Sequence, residues 1–438
     1  MKMKYRNLFP LALILLMCVS IYSMISGVQA EQTEIKNLLK KASDCGTQGL
    51  YDKAAGYYGD VIAKDNSIEY YLAVTDMFFE AGRYEDSYAW AEKMVQTFPK
   101  EAKAYERIIK VALEKKAYSD AYTQLAEYDG RKLHSKEVEK YRSDMEFLHW
   151  EDGKGFNDVS VFSNGYMAFV TKGKWGLATD KGASKVKAKF AKVGYYANEM
   201  VAVLDSENVW YFMNLNGEYI HNISNLVGGT VTDVGLYSNG VFPVCKDGKY
   251  SYYNLKFEKV FGEFDFAGSF SGGVAAVKSG EVWQLVDVSG KSIDGKEYLD
   301  VVLDDRGVCC QKDRLFVKVD DYEYIMIDSA GKRIGNETFE GGKLFSNGEY
   351  AAIMRGDLWG FVNIKGEVVV EPKYNNANSY SMGLAAVCKN TLWGYIDING
   401  NYIIEEKYDA CHNFAPSGVA FAKMGDDVKV IKLYKYNY

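Results

Sequence analysis

Residues 392–409 read LWGYIDINGNYIIEEKYD, and residues 358–375, 34 positions earlier, read LWGFVNIKGEVVVEPKYN. Both contain Leu-Trp-Gly, then alternating apolar residues, a lone glycine seven residues after the tryptophan, and a closing Lys-Tyr. Aligned on that glycine, Trp175 and Gly182, Trp210 and Gly217, Trp283 and Gly290, Trp359 and Gly366, and Trp393 and Gly400 share one phase, and Tyr324 and Gly331 keep it with a substitute aromatic. Three residues before the glycine stand Asn214, Asp287, Asp328, Asn363 and Asp397, with Thr179 the exception. An Asp or Asn that caps its own backbone, followed by a glycine at positive φ, is the chemistry of a hairpin turn.

A second phase precedes each hairpin. Phe156, Phe190, Val231, Phe264, Tyr298, Phe339, Tyr374 and Tyr408 head eight units spaced 33 to 41 residues apart. Seven of the eight continue with a glycine (Gly165, Gly240, Gly273, Gly307, Gly348, Gly383, and Gly418 one residue late), followed by a small-residue run such as GVAAV at 273–277. Period-two alternation rich in β-branched and aromatic residues reads as strand. Trp175-Gly176, Trp359-Gly360 and Trp393-Gly394 resemble the signature of the WG-repeat family; Trp210 and Trp283 keep the tryptophan alone. The resemblance spans about 156–438 and implies a β-rich interaction module. A tryptophan dispersed once per unit is expected to be a packing anchor between units, with its glycine admitting a close neighbour. The first unit has no hairpin before it and the last ends at 428–438 with no Lys-aromatic element after it. Pairing the last strand beside the first would close a ring and remove two edges. The fold reading is therefore α+β multidomain, with a propeller-like toroid of about eight small units at its C-terminal end, three strands fitting each unit more easily than four; an open β-solenoid is the alternative.

Ahead of this lies a second repeat. GLYDKAAGYYGDVIAKDN (49–66), GRYEDSYAWAEKMVQTFP (82–99) and KAYSDAYTQLAEYDG (116–130) open 33 and 34 residues apart. Each carries an aromatic (Tyr51, Tyr84, Tyr118) and, three residues on, a small residue (Ala54, Ser87, Ala121). With Gly82 and Pro99 these positions resemble tetratricopeptide repeats. The resemblance implies stacked helical hairpins with a groove for a peptide or helix of another protein, and makes these residues packing positions.

The N-terminus, MKMKYR followed by an apolar run from Leu8 to Val28 and Val28-Gln29-Ala30, has the grammar of an export signal; an uncleaved anchor is the rival, since the run approaches the ~20 residues of a spanning helix. The domain reading is thus 1–30 signal peptide or anchor, 31–150 helical repeats and 151–438 β-repeats. Beyond residue 30 the chain carries 49 basic and 59 acidic side chains, a balance that disfavours non-specific nucleic-acid binding. The cysteines past the signal (Cys45, Cys245, Cys309, Cys310, Cys388, Cys411) form no Cys-x-x-Cys pair and read as buried fillers. No zinc-protease, phosphate-loop or nucleophile-elbow motif occurs, and the four histidines are scattered. No catalytic residue, cofactor or metal is expected. The function expected is an exported, non-catalytic scaffold with protein partners, membrane contact coming only through an uncleaved N-terminal segment. A carbohydrate-binding or cell-wall-associated surface protein is the alternative. Residues 311–320, taken as an insertion in the fifth unit, and the loop near Gly228-Gly229 are where a binding surface is expected.

Overall fold

The computed structural model describes residues 8–437 of the 438, with side chains from residue 26. The chain divides into two compact units, one ending at Leu148 and the other running from His149 to Asn437.

The first unit is helical: α1 (Leu8–Thr47), α2 (Tyr51–Lys64), α3 (Ile68–Glu80), α4 (Tyr84–Thr97), α5 (Ala102–Glu114), α6 (Tyr118–Gly130) and α7 (Lys136–Met145). Gly49 and Gly82 take positive φ (74° and 70°) at the turns into α2 and α4, and Lys116 adopts the same conformation (58°) at the turn into α6 despite its Cβ. Side chains bond at nearly the repeat spacing: Arg83 to Asp52, Arg107 to Asp76 and Lys115 to Glu85. Successive hairpins are thereby stacked in register. Of the stretch read as a signal or anchor, residues 1–7 lie outside the described residues and 8–25 are described as helix backbone alone. Among the described residues no helix is long and apolar enough to cross a membrane.

The second unit is a β-propeller. Among the described residues eight small antiparallel sheets follow one another. They span 158–190, 192–222, 231–264, 266–286, 300–327, 341–374, 376–408 and 410–433, and are called blades 1 to 8. Six have four strands and two, blades 4 and 5, have three. The expectation of three strands per unit is corrected: a fourth fits because the innermost strand is only two residues long in most blades, as at Asp158–Val159 or Asn376–Ala377. Two residues are too few to show a period. Blade 8 takes its outermost strand from the start of the unit, His149–Gly153 pairing antiparallel with Asp427–Leu433 from His149 against Leu433 to Gly153 against Lys429. This closes the ring and rules out the open solenoid. Phe156, Met167 and Phe169 of the first turn bury against Val419, Phe421 and Val430 of the last. This apolar seam adds to the strand's hydrogen bonds in holding the circle shut.

The hairpin turns have the chemistry their sequence specifies. The side-chain oxygen of Asp287 accepts from the backbone N–H of Ser289 and Lys291, and Asn363 and Asp397 do the same in their own turns. The turn from innermost to second strand is also a tight one, with residues such as Asn164-Gly165 and Met382-Gly383 at positive φ. Blade 5 places Lys312-Asp313 there (52° and 57°), bridged by Gln311 and Arg314. Residues 311–320 are thus the regular turn and second strand of blade 5, and the expected insertion lies earlier, around Leu303–Cys310. Gly307 keeps the repeat spacing but belongs to the inserted turn, its N–H bonded to the Asp304 carbonyl.

Candidate functional site

The third strand of each blade carries the signature residues. Trp175, Trp359 and Trp393 sit opposite Phe190, Tyr374 and Tyr408 of the outermost strand. The two sequence phases, tryptophan in one unit and aromatic at the head of the next, are cross-strand partners in one blade. Immediately after the tryptophan the register slips, because the outermost strand bulges inward over the glycine. A Cβ on Gly360 would lie 2.4 Å from the Val370 carbonyl oxygen, on Gly394 2.5 Å from that of Ile404, and on Gly176 2.7 Å from that of Val186. No side chain fits there, which is why the pair is Trp-Gly.

The tryptophans are spread around the ring. Trp175 packs with Val193, Val201 and Val203 of blade 2, Trp283 with Val301 and Leu315 of blade 5, and Trp359 with Ala377 and Val387 of blade 7. Trp210 is buried to 1% exposure among Val231, Val234 and Phe242 of blade 3. None of the chain's seven tryptophans is exposed. They neither converge on one cavity nor line one cleft. In the helical unit Tyr51, Tyr84 and Tyr118 begin α2, α4 and α6, and Ala54, Ser87 and Ala121 are buried one turn later. The Ser87 hydroxyl donates to the Thr75 carbonyl at 2.9 Å, tying α4 to α3, and Pro99 follows the end of α4.

One cavity of about 530 Å³ opens at the propeller axis, lined by blades 1, 5, 6, 7 and 8. Sequence reading missed it, since its walls come from loops that no single repeat contains. Lys343 projects from blade 6 and donates to Asn376 Oδ1 at 3.0 Å and Asn378 Oδ1 at 2.8 Å, its ammonium 5.0 Å from the Trp359 ring centroid and 5.8 Å from that of Trp393. Burial pushes its pKa down to about 8, against the opposing pull of Asp305. Burial likewise holds the His412 imidazole below its usual range. Asn413 Oδ1 is buried without a partner, and the blade 5 insertion supplies Asp305 and an Asp304–Arg306 pair at 2.6 Å. The volume suits a small polar ligand or a projecting side chain. Among the described residues no group of His, Cys, Asp and Glu is arranged to hold a metal ion.

A sequence model of the family described as WG containing repeat matches residues 250–283, 359–392 and 393–426. Each match opens on the third-strand aromatic (Tyr250, Trp359, Trp393) and crosses into the following blade, so the family's unit is offset from the structural blade. No curated protein matches the chain. Similar solved structures include the computationally designed Ika8 protein (10% identity, 64% of this chain and 96% of that one, TM-score 0.42). BamB from Moraxella catarrhalis (12%, 64% and 83%, 0.34) and a eukaryotic initiation factor (11%, 64% and 85%, 0.43) are further examples. At these TM-scores the likenesses carry no argument about function.

Proposed function

We propose that the protein is an exported, non-catalytic interaction scaffold in which tetratricopeptide-like hairpins and a WG-type propeller each present a surface to protein partners. One observation carries the reading: the repeat's signature residues are spent on packing, while the hairpins of three successive blades, 5, 6 and 7, leave apolar side chains exposed. Leu358 and Leu392 occupy the same hairpin position in blades 6 and 7 and are 36% and 38% exposed. Val319 and Tyr322 flank the corresponding hairpin of blade 5 at 42% and 82%. Adjacent exposed apolar side chains at equivalent positions form an arc of the kind protein partners cover. Export rests on the N-terminal grammar alone. The glycan alternative rests on exposed tyrosines such as Tyr322, because one tryptophan is buried, six are half-buried and none is exposed.

Crosslinking the full chain in its native envelope, with and without Tyr322→Ser, Leu358→Ser and Leu392→Ser together, tests this. Recovery of one dominant protein that the triple variant loses is the expected result. Unchanged recovery from the variant, or glycan capture in place of protein, would overturn it.

A further inference from the structure

The chain is acidic overall, yet residues 154–193 hold eight lysines against two aspartates. Lys185, Lys187 and Lys189 alternate along the outermost strand of blade 1 (Ser184–Phe190), and all three are exposed. At ~3.4 Å per residue they form a row on one face with roughly 7 Å between neighbours. Among the described residues none of the three has an ion-pair partner, whereas Lys192 beside them is bonded to Asp233 at 2.7 Å. Lys172, Lys174 and Lys181, also exposed, flank the same blade. Edge protection explains only part of this. A lysine before the closing aromatic recurs as Lys373 and Lys407, but where blade 1 has Lys185 and Lys187, blades 6 and 7 have Val369 with Glu371 and Ile403 with Glu405.

Beside the row lies uncovered apolar surface. The outermost strand of blade 2 (Tyr219–Asn222) runs alongside: the Lys189 ammonium is 5.8 Å from the Tyr219 ring centroid, and that ring meets Phe190 at 6.4 Å. Tyr219 and Ile220 are 46% and 44% exposed, and Leu226, on a short helix found in blade 2 (Ile223–Val227), is 52% exposed. A soluble polyanion needs only the lysines. Unpaired lysines next to an exposed tyrosine and branched aliphatics fit a bilayer surface, where ammonium groups meet anionic headgroups and the apolar side chains enter the interface.

We propose that the outer edge of blades 1 and 2 is a docking surface for an anionic lipid bilayer. This goes beyond the scaffold reading and does not depend on it. The test is vesicle binding by the full chain, on equal parts phosphatidylglycerol and phosphatidylcholine and on phosphatidylcholine alone. The readout is the preference for anionic vesicles, because an apolar N-terminal segment would bind both. Lys185→Ala/Lys187→Ala/Lys189→Ala is expected to lose about a hundredfold of that preference. Ile220→Ser should weaken vesicle binding about fivefold and leave binding to soluble polyphosphate unchanged. Equal preference in the wild type and the triple variant would overturn the proposal. So would polyphosphate binding as tight as vesicle binding with no effect of Ile220→Ser, which would assign the row to a soluble polyanion.

Discussion

Blades 6 and 7 and blades 4 and 5 solve the same problem in opposite ways. In blades 6 and 7 a glycine follows the third-strand tryptophan, and a continuous seven-residue outermost strand (Val368–Tyr374, Tyr402–Tyr408) bulges over it. Blades 4 and 5 have Gln284 and Ile325 in that place, and their outer segment is reduced to isolated bridges, Trp283 to Tyr298 and Val286 to Ser292, Tyr324 to Phe339 and Ile327 to Arg333. Between the bridges the chain lifts off through Gly295 and Gly335, at φ 68° and 71°. Blade 3 is intermediate: Ser251 replaces the glycine, its hydroxyl donates to the Gly262 carbonyl at 2.8 Å, and Gly262 of the opposing strand takes φ 101°. The glycine has moved across the pair. Two backbones cannot both carry side chains at this crossing, so one strand gives up its Cβ or the outer one detours.

The comparison can be broken at several strengths. The largest effect is expected from Trp210→Ala, which empties a fully buried site at the blade 2 to blade 3 contact and should cost about 3–5 kcal/mol in urea unfolding. Next, Gly360→Ala drives a Cβ into backbone and should cost about 3 kcal/mol, while Gln284→Ala stays within about 0.5 kcal/mol of wild type. Gly295→Ala meets no atom within 4 Å, so only its positive φ is penalised, at about 1 kcal/mol. A separate effect concerns pH. With its pKa lowered from 10.5 to about 8, Lys343 has shed its proton in the folded state while the unfolded chain still holds one. Its contribution to stability therefore rises with pH across that window. Urea midpoints compared at pH 7.5 and pH 9.5 should show this rise in the wild type and lack it in Lys343→Met.

Legibility followed locality. The repeat period, the hairpin turns and the unmatched first and last strands were all readable, because each is a short-range pattern or a count. The pairing of Trp359 with Tyr374 was not, since the bulge over Gly360 hides the register from any fixed spacing. The closing strand His149–Gly153 carries no turn or alternation of its own and is defined by its partner 280 residues away. Gly307 sat at the right spacing for the repeat turn and drew the insertion to the wrong place; Lys312-Asp313 occupy the turn without a glycine to mark it. The axial cavity is assembled from five blades, so Lys343, His412 and Asn413 share no sequence pattern. Lys185, Lys187 and Lys189 were visible as residues, but their exposure beside Tyr219 required the neighbouring blade.

The role of the Trp-Gly glycine is tested most directly by amide hydrogen exchange on Gly394→Ala. The outermost strand 402–408 should lose protection by one or more orders of magnitude while 292–298, where no glycine lies beneath, exchanges as in the wild type. Undiminished protection of 402–408 in a folded variant would contradict the account.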